Sequence, residues 1–343
     1  MARSRSLPRA GSDPGSPAPR PVFLLSDFGH QDGYVGTMKA VLRTLAPALT
    51  IDDLTHAVPP QDIAAGAFHL FTVLAYLPEN ALVVAVVDPG VGTGRAICVS
   101  RWSNRLFIAP DNGLLGAAFG WLAALHGVPP GASATRIEAR VGGPTVTALL
   151  TDDGKHPLPA ARPVSPWGRT FDGRDRFAPL AARLADPAAG AELLRKIGPW
   201  RDVPLAPQED QLPTRTATGD WQGRIIHFDH FGNGITNLSL RNWLPERPFM
   251  TGTLGGGGLL GVKGSAPAWQ VRWNNQVIPL VRTYAAAEDL PPPNHGPQIV
   301  ALINSSDLLE IAIPGGSFQG WASAAHSARS AIDRSVHMLA AHR

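Results

Sequence analysis

The feature that most constrains the fold is an alternation in the first third of the chain. Short apolar runs close on acidic or glycine turns, and stretches with helical spacing separate them. Val22-Phe23-Leu24-Leu25-Ser26 runs into Asp27-Phe28-Gly29. Residues 33–46 place Val35, Met38, Leu42 and Leu45 at helical spacing and stop at Pro47. A second short run follows at 50–54. A second helical stretch over 61–77 carries Ile63, Ala67, Leu70, Val73 and Leu74 on one side. Leu82 to Val87 is a third run, closed by Asp88-Pro89-Gly90. The pattern then predicts a hairpin over 96–101 and 105–109 and a helix from 113 to 125. Strands this short and apolar, alternating with helices, predict an α/β domain built on a parallel sheet. Ligands of such sheets sit at the carboxyl ends of the strands. Asp27, Asp88 and Asp111-Asn112 fall there.

The pattern changes further along. Residues 129–166 are rich in Pro, Gly and Ala, with a strand-like piece near 144–151. A helix is expected over about 175–187. Residues 188–218 read as a connector punctuated by Pro199, Pro204, Pro207 and Pro213. From 222 onward, short strands broken by Gly and Asn (222–228, 269–272, 277–283, 298–303, 308–313) predict a smaller all-β, barrel-like domain, with Gly255–Gly258 as a turn. Helical spacing returns over 320–343. The expected organisation is a disordered Pro/Ser/Arg-rich lead-in at 1–21, an α/β domain at 22–188, a connector at 189–221, a barrel-like domain at 222–319 and a helical or partly ordered tail at 320–343.

Composition narrows the function. Lys+Arg 30 against Asp+Glu 27 leaves a formal charge of +3, and no basic block is long enough for a nucleic-acid tail. A single cysteine excludes a disulfide framework and a multi-thiolate metal site, and Cys98 reads as a buried strand residue. The histidines show no H-x-x-x-H spacing, so no metal site is expected. No apolar window approaches a membrane span, and residues 1–21 lack the apolar core of an export signal, so a cytoplasmic protein is expected.

Four polar clusters remain, each with two readings. Asp27, at a strand end, suits the paired hydroxyls of a ribose, or caps the next helix. Asp88 and Arg95 flank a Pro/Gly loop; they hold and polarise a water, or form a structural ion pair. Asp172 and Asp175 lie in Phe171-Asp172-Gly173-Arg174-Asp175, which also suits the positive end of a helix dipole. In Asp229-His230-Phe231-Gly232-Asn233, the aromatic ring suits stacking on a nucleobase, while the Gly-Asn pair suits a hairpin turn.

Taken together, the chain resembles the S-adenosylmethionine hydrolases (S-adenosylmethionine hydroxide adenosyltransferases), relatives of the fluorinases and chlorinases. The resemblance rests on SDFGHQDGYVGTMKAVL (26–42), DLTHAVPPQDIAAGA (53–67), VVDPGVGTGRA (86–96), APDNGLL (109–115), TFDGRDRFAPLAA (170–182), DHFGNGITNLS (229–239) and LINSSDLLEIAIPGG (302–316). It implies hydrolysis of S-adenosylmethionine to adenosine and methionine by water attack at the ribose 5′ carbon, with no metal or organic cofactor. It also implies a homotrimer, with each site between the N-terminal domain of one subunit and the C-terminal domain of the next, and no nucleic-acid or membrane partner. Asp27 would hold the ribose hydroxyls and Asp229 the methionine ammonium. Ser305 would lie at the amino-acid end. Phe231, Asn233 and the backbone near Gly315 would lie at the adenine. Asp88 and Arg95 match two members of the family's Asp-Arg-His set. The third departs: Asp172 stands where the family has histidine. Pro314 stands where asparagine is usual. Two rivals follow. In a halogenase, the Asp88 carboxylate would repel the halide, and Gly173 stands where a hydroxyl donor is wanted. A non-catalytic binder of S-adenosylmethionine or adenosine draws its support from Asp172 alone.

Overall fold

The computed structural model describes residues 18–125, 145–150, 170–197, 200–202, 213–239, 269–326 and 334–340. Most of the expected lead-in, the Pro/Gly-rich stretches around 129–144 and 151–166, and the Gly255–Gly258 turn lie outside the described residues. The chain divides into two compact units. One comprises 1–61, 78–111 and 147–201, the other 62–77, 112–146 and 202–343.

The first unit is built on a mixed seven-stranded sheet. Its strands are β1 (Val22–Ser26), β2 (Ile51–Thr55), β3 (Leu82–Val86), β4 (Ile97–Trp102), β5 (Arg105–Pro110), β6 (Thr145–Leu150) and β7 (Arg201–Asp202), in the order β2-β1-β3-β5-β4-β6-β7. β2, β1, β3 and β5 run parallel, and β4 turns back antiparallel on β5 through a tight turn at Ser103. Every residue of β3 is buried, as expected of a central strand covered on both faces. α1 (Tyr34–Leu45) and a later helix, Ala178–Ala185, pack together over the sheet. Met38, Leu42, Leu180 and Leu184 meet Leu24, Val84 and Ile108 in one apolar cluster. The last residues of the expected lead-in are tied down. The Arg20 N–H donates to the Ala185 carbonyl at 2.9 Å, and its guanidinium reaches the carbonyls of Asn80 and Asn104.

The second unit contains α2 (Ile63–Val73) and α3 (Leu114–Leu125), packed on each other, and a nearly closed antiparallel sheet. Its strands are β8 (Thr214–Arg215), β9 (Trp221–Phe228), β10 (Gly234–Ser239), β11 (Trp269–Trp273), β12 (Gln276–Ile278), β13 (Val300–Ile303), β14 (Leu308–Ala312) and β15 (Ser335–Ala340). They run β12-β11-β15-β9-β10-β14-β13, and an isolated bridge from Leu280 to Ala301 brings the ends of that path together. Ile225, Leu238, Trp273, Ile311 and Phe318 fill the interior.

The structure departs from three sequence expectations. Helix in the tail ends at His326, and Ser335–Ala340 is a strand between β9 and β11. Val336 and Met338 point inward and are fully buried, a period-two pattern hidden in an Ala-rich stretch. The start of the expected connector is helical over Pro187–Lys196. Asp186 Oδ1 caps it by accepting from Ala188 and Ala189, and proline holds the first position. Cys98 is half-buried rather than buried, and its thiol lies 3.4 Å from Asp111 Oδ1. No helix among the described residues is long and apolar enough to cross a membrane.

A histidine pair makes the second unit acid-sensitive. His227 on β9 packs against Phe68 and His69 of α2 at 4.7 and 4.9 Å between ring centroids. Burial, then the neighbouring His69, lowers the His227 pKa to about 4. The unfolded chain therefore binds a proton that the folded one refuses, between about pH 6.5 and pH 4. That stability is complete above the unfolded value and lost as pH falls. It amounts to about 2 kcal/mol after allowance for partial solvent access. His227→Phe keeps the ring packing and removes the titration. The drop in melting temperature from pH 7 to pH 4.5 is therefore expected to be smaller in the variant; equal drops would remove His227 as its source.

Candidate active site

In the first unit, register places the acids. Ser26 on β1 lies opposite Val86 on the parallel β3, so Asp27 and Asp88 leave adjacent strands at the same sheet edge. A buried relay shapes the turn after β1. Ser26 Oγ lies 2.7 Å from His56 Nδ1, and His56 Nε2 lies 3.1 Å from Asp53 Oδ1. Lys39 closes the chain on Asp53 Oδ2 at 2.6 Å. A carboxylate only accepts, so Nε2 carries the proton and Nδ1 accepts from the serine hydroxyl. Burial lowers the His56 pKa and favours this neutral form. Ser26 Oγ in turn accepts from the Phe28 N–H at 3.2 Å. Asp27 does not cap α1, whose N-terminus at Gly33 has no side-chain cap. Asp27 Oδ2 instead accepts the Gln61 N–H at 2.8 Å and fastens the loop before α2.

Asp88 sits at the base of the Pro/Gly loop. Its Oδ1 accepts the Gly90 N–H at 3.0 Å and lies 3.1 Å from Arg95 Nε, an ion pair whose N–H is not aligned for a hydrogen bond. Arg95 lies directly across Gly90: a Cβ there would fall 1.8 Å from Nη2. Glycine is thus required so that the guanidinium can reach Asp88. Burial raises the Asp88 pKa above the usual carboxylate range, and nearby Asp172 pushes the same way. The Gly90 N–H and the Arg95 and Arg176 cations oppose this without cancelling it.

Asp172 is buried at the start of the segment leading into Ala178–Ala185. Gly173–Phe177 forms a wide turn, with the Ala178 N–H bonded to the Gly173 carbonyl five residues back. Such insertions recur at functional sites. The turn brings Arg176 back onto Asp172, Nη1 to Oδ2 at 3.1 Å, and the same Nη1 reaches the Arg95 carbonyl at 3.4 Å. Sequence reasoning missed Arg176, although opposite charges four apart on a helical segment were a usable signal. Arg174 is committed elsewhere, to both oxygens of Asp175. Phe28, Tyr34 and Phe171 pack ring against ring at 5.0 to 5.9 Å beside Gly173. The first unit therefore assembles two acids, two arginines and an aromatic wall.

In the second unit, Asp229 organises its turn. Oδ1 accepts the N–H groups of Phe231 and Asn233 at 2.9 and 2.8 Å, and Oδ2 accepts Asn233 Nδ2 at 2.9 Å. Gly232 has φ 81°, and a Cβ there would strike Ser317 Oγ at 2.1 Å. The hairpin-turn reading is therefore correct for the backbone, and it leaves the Phe231 ring 73% exposed. Behind Asn233 lies a pair that sequence reasoning also missed, Tyr284 bonded to the buried Glu310. Burial raises the pKa of both groups. Ser305 is exposed in the β13–β14 turn, its carbonyl 3.4 Å from the Tyr76 hydroxyl, and Gly315 is exposed with φ 71°. No cluster of three or more metal-binding side chains occurs among the described residues.

Comparison with known proteins gives this arrangement a family. Residues 22–193 match the model of the SAM hydroxide adenosyltransferase N-terminal domain, and residues 223–329 match that of the C-terminal domain. The chain belongs to the SAM hydroxide adenosyltransferase family. It is 36% identical to the (R)-S-adenosyl-L-methionine hydrolase of Thermus thermophilus, over 87% of this chain and 93% of that protein. A fluorinase of Nocardia brasiliensis is more distant, 25% identical over 64% of this chain and 71% of its own. Among solved structures, a conserved hypothetical protein of Thermus thermophilus aligns with TM-score 0.57 at 31% identity, covering 93% of this chain and all (100%) of that one.

Proposed function

We propose that this family member hydrolyses S-adenosyl-L-methionine to adenosine and L-methionine. The observation that carries the reading is the Asp88–Arg95 pair, set beside Asp172 at the carboxyl edge of the sheet, in a chain so similar to named hydrolases. A water held by the carboxylates attacks the 5′ carbon opposite sulfur. The C–O bond forms as the C–S bond breaks, sulfur keeps the electron pair as a neutral thioether, and the water's proton passes to a carboxylate. A sulfonium leaves without a general acid, so the protein must position water and accept one proton. A base whose pKa is raised by burial is suited to that role. Asp88 is the proposed base, Arg95 its orienting cation and Asp172 the second acceptor. Asp27 is assigned to the ribose hydroxyls, and Asp229 to the ammonium, with Ser305 beside it. Phe231, Asn233 and the Gly315 backbone are assigned to the adenine. The Asp88 carboxylate at this position disfavours a halide nucleophile.

The proposal includes a homotrimer in which Asp88 of one subunit and Asp229 of the next serve one site, and a cytoplasmic setting where S-adenosylmethionine is made. Incubation of purified protein with S-adenosylmethionine is expected to yield adenosine and methionine in equal amounts. Binding measured by calorimetry without either product would instead make the protein a non-catalytic binder.

A further inference from the structure

The Asp172 charge acts on Asp88, and two carboxylates near one another repel. One of them would ordinarily take up a proton and leave a single base. The structure shows why that need not follow. Arg176 stands at Asp172 with Nη1 3.1 Å from Oδ2, and it is also tied to the backbone of Arg95 at 3.4 Å. Its side chain is largely enclosed, and its Nε is buried without a hydrogen-bond acceptor among the described residues. Among the described residues, the ion pairs at the centre come from two segments. The loop contributes Asp88 and Arg95, and the wide turn contributes Asp172 and Arg176. Arg174 is spent on Asp175, and Asp27 is engaged with the Gln61 N–H. Two acids thus face two arginines.

We propose that Arg176 is a positioning residue of the reaction centre: it balances the Asp172 carboxylate so that Asp88 keeps its charge and can take the water's proton. This rests on the hydrolase reading above.

The sign of the expected effect is fixed by charge. Removing the Arg176 cation makes ionisation of Asp88 harder, so its pKa rises and the acid limb of the pH–rate profile moves up. In Arg176→Met the limb of kcat is expected to move up by about one pH unit, a roughly tenfold loss at the pH of the wild-type limb that shrinks at alkaline pH. KM is expected to change by less than about threefold, because no substrate group is assigned to Arg176. Arg176→Lys keeps the charge and should restore most of the wild-type profile, and Arg176→Gln provides a second neutral variant. A folded neutral variant with an unmoved limb overturns the proposal, as does a loss equal at all pH values. The second readout needs no turnover: the Asp88 carboxyl carbon of ¹³C-aspartate-labelled protein, assigned with Asp88→Asn, titrates higher in the neutral variants. If the wild-type protein forms no adenosine, the hydrolase reading fails. The Asp88 titration then still decides whether Arg176 holds that acid ionised.

Discussion

Asp88→Asn is expected to leave a folded protein that binds S-adenosylmethionine but turns it over about 10³-fold more slowly, the usual worth of a positioned general base. The substitution keeps the shape of the side chain and the acceptor for the Gly90 N–H. It removes the site that takes the proton. Stability should move the other way. A carboxyl whose folded pKa is raised binds its proton more tightly in the folded state. Folding therefore weakens as pH rises between the ordinary and the raised value, and above that window the wild type bears the full penalty. The neutral variant is free of it. Its melting temperature at pH 7 should equal or exceed that of the wild type, with the advantage shrinking in acid. Gly90→Ala reaches part of the same loss by a different route. Its methyl group takes the space of the Arg95 guanidinium, which is flexible enough to move without unfolding the loop. Turnover should fall about tenfold with little change in substrate affinity. Full activity in Asp88→Asn would remove Asp88 from the mechanism.

Asp229→Asn carries the second large effect, on binding rather than chemistry. The carboxylate accepts three N–H groups that fold its turn, and it is the proposed partner of the methionine ammonium. An amide offers one acceptor oxygen and sets its own NH₂ against a neighbouring donor. Loss of a desolvated charge pair is worth about 3 kcal/mol, so KM should rise about 100-fold with kcat within about tenfold of wild type. The pair of variants also tests the trimer. Asp88→Asn and Asp229→Asn subunits, dissociated and reassembled together, should regain activity that neither shows alone, because some sites then receive both intact acids. No recovery in demonstrably mixed oligomers would place both residues of a site in one subunit, or outside a common site.

Much of this was legible in the residues. The β1, β3 and β5 runs were apolar apart from Ser26 and Arg105 at their ends, because a strand covered on both faces excludes polar side chains, and the ends of β1 and β3 therefore announced Asp27 and Asp88. The Asp88–Arg95 pair was legible because a Pro/Gly loop leaves few other partners. The strand Ser335–Ala340 was not, because alanine at helical spacing masked a period-two signal that only Val336 and Met338 carry. The networks behind the site were hidden for a different reason. Ser26, His56 and Asp53 meet because β1 and β2 pair in parallel with a register shift after Leu24, and Tyr284 meets Glu310 across 26 residues. Such contacts follow from tertiary register, which local spacing does not encode. Arg176 lies between the two cases. Its separation from Asp172 was in the sequence, while its second contact, with the backbone of Arg95, required the fold.

The most direct test of the central claim uses isotopically labelled solvent. Purified protein is incubated with S-adenosylmethionine in ¹⁸O-water containing chloride, and the nucleosides are identified by mass spectrometry. The account predicts adenosine carrying one ¹⁸O at the 5′ position, methionine in equal amount and no 5′-chloro nucleoside. Unlabelled adenosine, a halogenated product, or no product from folded protein that binds S-adenosylmethionine would contradict it.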